Sequence, residues 1–410
     1  MKTLDMFFSL IRVAIGQQAK LPCVPSDNEW KHILSLLQKH AMQGVGFVAM
    51  QKLPREQWPP SDVVRTLIGY SVIIKEKNAL LNDECVAVVK QLEHDGLDAV
   101  VLKGQANREY YPEGLREYRC AGDIDLWTKL TNDNGIPIAV QQGDSVEYEY
   151  YKGVRGIIEY ARLQRRLRED KSLFKPLYYH VEYHTDKGTE VEMHYRPSFL
   201  CSPIRNMRMQ RWFNDQFDIC LQNNCQLGFP VLTSSVNVVY QLVHLYRHVF
   251  EGGVGLRQLM DYYFALRVWH NDVMECKDLQ SQGMWSEGLG TAVMSKEEVM
   301  AVLRSFGMKK FASAVMYVLH EVFAIPTNYY ICEPNEKEGR KLLEEIMKGG
   351  NFGQYDERGK EFKNGGMIKH GLWKLKRVMR LVRSYPEEAM WEPMFRVYHL
   401  GWRTIERIKD

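Results

Sequence analysis

The residues best placed to do chemistry are the two acids of Gly122-Asp123-Ile124-Asp125-Leu126-Trp127. In an extended strand, positions i and i+2 point to the same side, so Asp123 and Asp125 present their carboxylates together while Ile124 and Leu126 face a core. Two ionised carboxylates this close repel unless a cation lies between them or one keeps its proton. Hard oxygen ligands at that spacing suit Mg²⁺ or Mn²⁺, with phosphate oxygens completing the shell. Taken alone, the pair also fits a solvated strand end or a turn.

Two further segments add to it. Leu102-Lys103-Gly104-Gln105 follows a buried-strand run, Ala99 to Leu102, and precedes a short helix expected over Gln105 to Tyr111. A glycine turn there lets backbone N–H groups approach an anion, the helix start favours negative charge, and Lys103 adds a full positive one. The plain alternative is a glycine turn with a solvated lysine. In Thr189 to Tyr195, Val191, Met193 and Tyr195 share one face, and Glu190, Glu192 and His194 share the other. If Glu192 faces the aspartate pair, the three acids make a two-metal site. One ion there helps activate an acceptor hydroxyl and the other holds a triphosphate. Otherwise the segment is an ordinary amphipathic strand.

Other polar residues keep two readings each. Arg119, four residues before Asp123, either neutralises phosphate or pairs with the acidic cluster. His194 either orients a carboxylate and touches substrate or makes a buried structural hydrogen bond. His180 and His184 alternate on a partner strand without an accompanying His/Cys set, so no zinc site is expected. His244 and His248, and Arg257 and Asp261, are spaced i, i+4 on two helices. Arg257 then reaches a phosphate or joins an inter-helix network. Lys374, Lys376, Arg377, Arg380 and Arg383 form a basic helix that is either a solvated face or a surface for a polyphosphate or a nucleic-acid acceptor. Tyr148, Tyr150, Tyr151, Tyr178, Tyr179 and Tyr183 either stack a base or sugar or pack across strands.

These residues need elements to hold them. The chain has 410 residues with a net charge of +3, so it is no general nucleic-acid glue, and anion binding must come from local patches. Its eight cysteines contain no C-x-x-C pair, which fits a reducing cytoplasm rather than a disulfide framework. No apolar run reaches 18 residues, and Met1 to Gly16 reads as a retained amphipathic helix, with Phe7, Ile11 and Ile15 at helical spacing. Residues 1–96 read as helical, with a capping box at Ser26 and Glu29 and a long helix after Pro59-Pro60 carrying Val64, Leu67, Ile68, Val72 and Ile73. Residues 97–200 read as a small α/β core, and 131–152 as an inserted hairpin signalled by Asn134-Gly135. Residues 201–410 return to helix, with a second capping box at Ser295 and Glu298, a glycine-rich loop from Gly349 to Gly366, and two closing helices split at Pro386.

The order Leu102-Lys103-Gly104, Arg119, Gly122-Asp123-Ile124-Asp125-Leu126, Val191-Glu192-Met193-His194-Tyr195-Arg196 resembles the nucleotidyltransferase superfamily, most closely a poorly characterised bacterial family within it. The likeness extends to His244, His248, Leu256-Arg257 and Asp261, and to Tyr385-Pro386-Glu387-Glu388 with Trp391 and Pro393. It implies an α+β fold, a small mixed sheet flanked by N- and C-terminal helical regions. It implies a cytoplasmic, Mg²⁺- or Mn²⁺-dependent enzyme moving a nucleoside monophosphate from an NTP to an acceptor hydroxyl. Asp123, Asp125 and Glu192 would be the catalytic metal ligands, and Lys103, Gly104, Gln105, Arg119 and Gly122 would bind the nucleotide. His194 and Arg257 would be substrate contacts. Two departures stand out: Gln105 where the superfamily has a small residue, and Glu rather than Asp at 192. They motivate an alternative, a nucleotide-binding or regulatory protein without turnover; the basic helix motivates a third, an RNA-directed transferase. Neither the acceptor nor the oligomeric state follows from the resemblance.

Overall fold

The computed structural model describes residues 2–142, 145–171, 173–282, 293–359 and 366–408. Its first helices are α1 (Lys2–Ala14), α2 (Asp27–Lys39), α3 (Gln43–Lys52) and α4 (Ser61–His94). Next come β1 (Leu97–Val101), α5 (Gln105–Arg108), β2 (Ile124–Leu130), β3 (Ile136–Gln142), β4 (Ser145–Tyr151), α6 (Gly153–Leu167), β5 (His180–His184) and β6 (Glu190–His194). The helices α7 (Pro203–Leu221), α8 (Ser234–Glu251), α9 (Leu256–Ser281), α10 (Lys296–Ser305), α11 (Lys309–Phe323), α12 (Glu336–Gly349), α13 (Gly366–Leu381) and α14 (Pro386–Ile408) follow. The architecture is α+β, as the resemblance implied. No described helix is long and apolar enough to cross a membrane.

In space the chain groups into two compact units that interleave along the sequence. One comprises 1–78, 107–121 and 234–389; the other comprises 79–106, 122–233 and 390–410. The three consecutive regions read from the sequence are 1–96, 97–200 and 201–410, so each of these units draws residues from all three.

The second unit holds the sheet, in the order β1-β2-β6-β5, with β2 and β6 parallel and the outer pairs antiparallel. Ile124, Leu126, Val191, Met193, Val181 and Tyr183 alternate onto one face and are all buried. Helix α6 covers that face, and its Gly156 sits so close that a Cβ would collide with the Tyr151 carbonyl at 2.6 Å and press on Leu130 and Ile136. On the opposite face, register sets Asp125 beside Glu192 and Glu192 beside Glu182, while Trp127, His194 and His180 form the next row. Trp127 closes the row edge-on to Phe213 and Phe217 of α7. Tyr178, Tyr179, Phe199 and Cys201 form a side core on which Trp391 and Phe395 of α14 pack.

Several local expectations need correction. The hairpin inside 131–152 is present, but its strands pair Gln142 with Ser145, so Asn134-Gly135 instead links β2 to β3; residues 143–144 lie outside the described set. The helix after Gly104 is one turn, Gln105–Arg108, rather than running to Tyr111. On α4, Leu67 is buried but Ile68, Val72 and Ile73 face outward.

In the first unit both capping boxes form, at Ser26 with Glu29 and at Ser295 with Glu298. The apolar residues of α8 and of the first half of α9 are buried, and so are Phe7 and Ile11 of α1. The basic helix α13 is not simply a solvated face. Arg377 is buried, donates to the Val249 carbonyl at 2.9 Å and lies 3.8 Å from Asp356. Burial pushes its guanidinium down to about 10. The glycine-rich loop is described from 349 to 359; residues 360–365 lie outside the described set.

Candidate functional site

Each acid of the site is placed by a different feature of the sheet. Asp125 is the second residue of β2 and only 1% exposed; Asp123 immediately precedes the strand, with its side chain 38% exposed. Glu192 is the middle residue of β6, in register with Asp125 across a parallel pair. Asp123, Asp125 and Glu192 can each offer an oxygen such that the three lie within 4.8 Å of one another. Proximity in sequence brings the first two together; strand pairing alone brings the third.

The turn after β1 closes the site from the other side. The Leu102 N–H donates to the Asp125 carbonyl at 2.9 Å, and Gly104 takes a positive φ of 65°. A Cβ at Gly104 would meet the Asp123 carbonyl at 3.4 Å, so glycine serves both the left-handed backbone and the close approach. The Lys103 Nζ comes within 3.0 Å of Asp125 Oδ1 and 4.0 Å of Asp123 Oδ2. Gly122 is exposed in the extended run leading into β2. Gln105 is buried, and its side-chain amide donates to Asn82 of α4. Since α5 is a single turn, the macrodipole expected to favour phosphate has almost no length over which to build.

Two histidines complete the arrangement. His194 Nε2 is 3.2 Å from Asp125 Oδ1 and 3.0 Å from Glu192 Oε2, while His180 Nδ1 is 3.1 Å from the same glutamate oxygen. Sequence reading missed His180 because its value depends on register: it opposes His194 across β5 and β6. The alternation of His180 and His184 was visible; that a histidine of β6 would meet one of them was not.

The acids respond differently to this setting. Burial, then the neighbouring Asp123 charge, raises the Asp125 carboxyl above its ordinary value despite Lys103. Burial would also raise Glu192, but the His180 imidazole outweighs it together with His194 and Lys103, holding Glu192 well below the usual carboxylate range. Asp125 Oδ2 is buried and has no hydrogen-bond partner among the described residues. An orphaned carboxylate oxygen beside two more carboxylates costs free energy unless a cation meets it. The donor set, three hard oxygens, fits Mg²⁺ or Mn²⁺.

Glu190, on the same face, supplies a measurable signature. Burial, then the adjacent Glu182, pushes its carboxyl up to about 7. A carboxyl raised above its ordinary 4.5 stabilises the fold fully below that pH and loses the contribution as pH rises through about 7. With a chelator present, the melting temperature is expected to fall between pH 4.5 and about 7, and Glu190→Gln to flatten the fall. An unchanged slope in the variant would show that another group is responsible.

Arg119 and Arg257 are in the first unit, whereas the acids are in the second. Arg119 is buried and paired through two hydrogen bonds of 2.7 Å with Asp261, which also accepts from the Tyr111 hydroxyl at 2.6 Å. Arg257 donates to the Cys120 carbonyl at 2.5 Å. Arg119 does not pair with the acidic cluster around Asp123; its buried guanidinium is paired with Asp261 instead. His244 and His248 face each other with their Nε2 atoms 3.0 Å apart.

No curated protein and no solved structure gives a match. The profile of a family described as "Uncharacterised nucleotidyltransferase" matches residues 26–283, which include Lys103-Gly104, the aspartate pair and the Glu192 strand. With that match spanning more than half of the sequence and taking in every strand of the sheet, the chain belongs to the uncharacterised nucleotidyltransferase family.

Proposed function

We propose that the protein transfers a nucleoside monophosphate from an NTP to an acceptor hydroxyl, with Mg²⁺ or Mn²⁺ held by Asp123, Asp125 and Glu192. The observation that carries this reading is the convergence of those three carboxylates from two strands, one bearing a buried unpartnered oxygen. In the reaction a bond forms between the acceptor oxygen and the α-phosphorus, the bond to the bridging oxygen of the β-phosphate breaks, and pyrophosphate leaves. When bound, the divalent ion supplies Lewis-acid neutralisation of the triphosphate charge.

The chain's own residues do the rest. Lys103, now paired with Asp125, has the charge and reach to turn toward a phosphate oxygen once a cation relieves the aspartates. Gly104 offers its backbone to the phosphates without a side chain in the way, and Gly122 leaves the approach to Asp123 open. Gln105 contributes through its backbone, since its side chain is committed to Asn82. His194 fixes the Asp125 and Glu192 carboxylates relative to each other. Glu192, kept ionised, helps hold the second metal ion or takes the acceptor hydroxyl's proton; its lowered carboxyl favours the first role, since an effective base sits nearer the working pH.

The Gln105 side chain also favours a second reading, a nucleotide-binding regulator without turnover, because the position supplies no hydroxyl to the phosphates. The RNA-directed reading loses support from Arg377, which is buried and engaged. Isothermal titration of ATP, CTP, GTP and UTP with Mg²⁺, paired with pyrophosphate release over sugar, antibiotic-like, protein and RNA-end acceptors, separates the readings. Binding by the wild type but not by the Asp123→Ala/Asp125→Ala variant, with release on one acceptor, supports the transferase. Binding without release on any acceptor supports the regulator, and equal binding by both proteins removes the metal assignment.

A further inference from the structure

We propose that His180, Glu192 and His194 form a second metal position that takes a transition ion, of which Zn²⁺ is the type, next to the all-oxygen triad and sharing Glu192 with it. This goes beyond the transferase reading, because its defining ligands, the two imidazoles, play no part in holding Mg²⁺.

The geometry carries the inference. Atoms of the three residues lie within 4.8 Å of one another, with His180 Nδ1 and His194 Nε2 at 3.1 Å and 3.0 Å from one glutamate oxygen. An ion with bonds of about 2.1 Å separates neighbouring ligand atoms by about 3.0 Å in an octahedron and about 3.4 Å in a tetrahedron. The observed separations already fall in that range, so little rearrangement is needed. The rings are inclined at 72° with centroids 4.9 Å apart, and both reach the same carboxylate oxygen. Both histidines are buried, at 4% and 1% exposure, and are set in paired strands, so the ligands are preorganised. Two nitrogens and one oxygen form a borderline-soft set that prefers Zn²⁺, Co²⁺ or Ni²⁺ to Mg²⁺. Three protein ligands leave positions open, as catalytic rather than structural sites do.

Co²⁺ is the probe, added to the full-length protein without nucleotide. The expected result is one tightly held Co²⁺ per chain, with strengthened visible absorption and two paramagnetically shifted imidazole N–H proton resonances. Zn²⁺ displaces it and a large excess of Mg²⁺ does not. His180→Ala and His194→Ala should each weaken Co²⁺ binding by at least about 10–100-fold, the loss that even an outer partner of a ligand brings. Asp123→Ala should keep both imidazole signals while losing Mg²⁺-dependent NTP binding, so this inference and the transferase reading fail separately. Displacement by Mg²⁺, or wild-type Co²⁺ binding without imidazole signals, overturns the proposal and does so whether or not the histidine variants fold.

Discussion

Asparagine in place of Asp125 is expected to abolish Mg²⁺-dependent nucleotide transfer and, with a chelator present, to raise the melting temperature. The two effects have one origin. Asp125 is 1% exposed, and burial, then the Asp123 charge, lifts its carboxyl above the ordinary 3.8. A carboxyl raised in the folded state contributes stability fully below its unfolded value and loses it as pH rises through the folded value. The ionised form is therefore a net burden on the fold that Lys103 and His194 only partly offset. Asparagine keeps the shape and an accepting oxygen for both while removing the charge. The same charge is what a divalent cation requires. Losing several kcal/mol of Lewis-acid stabilisation, at about 1.4 kcal/mol per factor of ten, lowers the rate by at least about a thousandfold. Pyrophosphate release and differential scanning fluorimetry read the two effects. A lower melting temperature in Asp125→Asn would mean that the ion pair with Lys103 outweighs the cost of the buried charge.

The largest stability effect is expected at Arg119 and Asp261. Their side chains are 5% and 7% exposed and meet through two hydrogen bonds of 2.7 Å. Burial opposes the Asp261 charge, but Arg119 more than compensates and holds the carboxyl below its ordinary value. Arg119→Met leaves that carboxylate with the Tyr111 hydroxyl and only the weaker influence of Arg257, and should cost about 3–5 kcal/mol in urea denaturation. The double variant Arg119→Met/Asp261→Leu should recover most of the loss, since a buried pair and apolar residues of similar volume are often near parity. Losses that simply add would show that the two residues act independently. Because the Asp261 carboxyl is depressed, the pair's contribution is complete above pH 3.8 and disappears as pH falls through the folded value.

Much of the site was legible in the sequence because it depends on local rules. The two-residue period put Asp123 and Asp125 on one side, and Gly104 after a buried strand marked a turn, which the structure shows with a positive φ. Both capping boxes, the closing helices around Pro386 and the polar face of the Glu192 strand followed from the same kind of spacing. The errors were of a different sort. Asn134-Gly135 has hairpin chemistry, yet strand register placed the hairpin elsewhere. Ile68, Val72 and Ile73 have core chemistry, yet α4 turns them outward.

By itself, then, the sequence determined the α+β class, the family motifs and the faces on which the candidate acids lie, all properties of residues within a few positions of one another. Tertiary structure alone decided which strand stood beside β2, and so whether Glu192 met the aspartates. It brought His180 to the same carboxylate through β5, sent Gln105 to Asn82, and gave Arg119 to Asp261. Those choices come from pairing and packing between segments far apart in the chain, where burial rewards the best overall fit and no spacing rule in one segment records its partner.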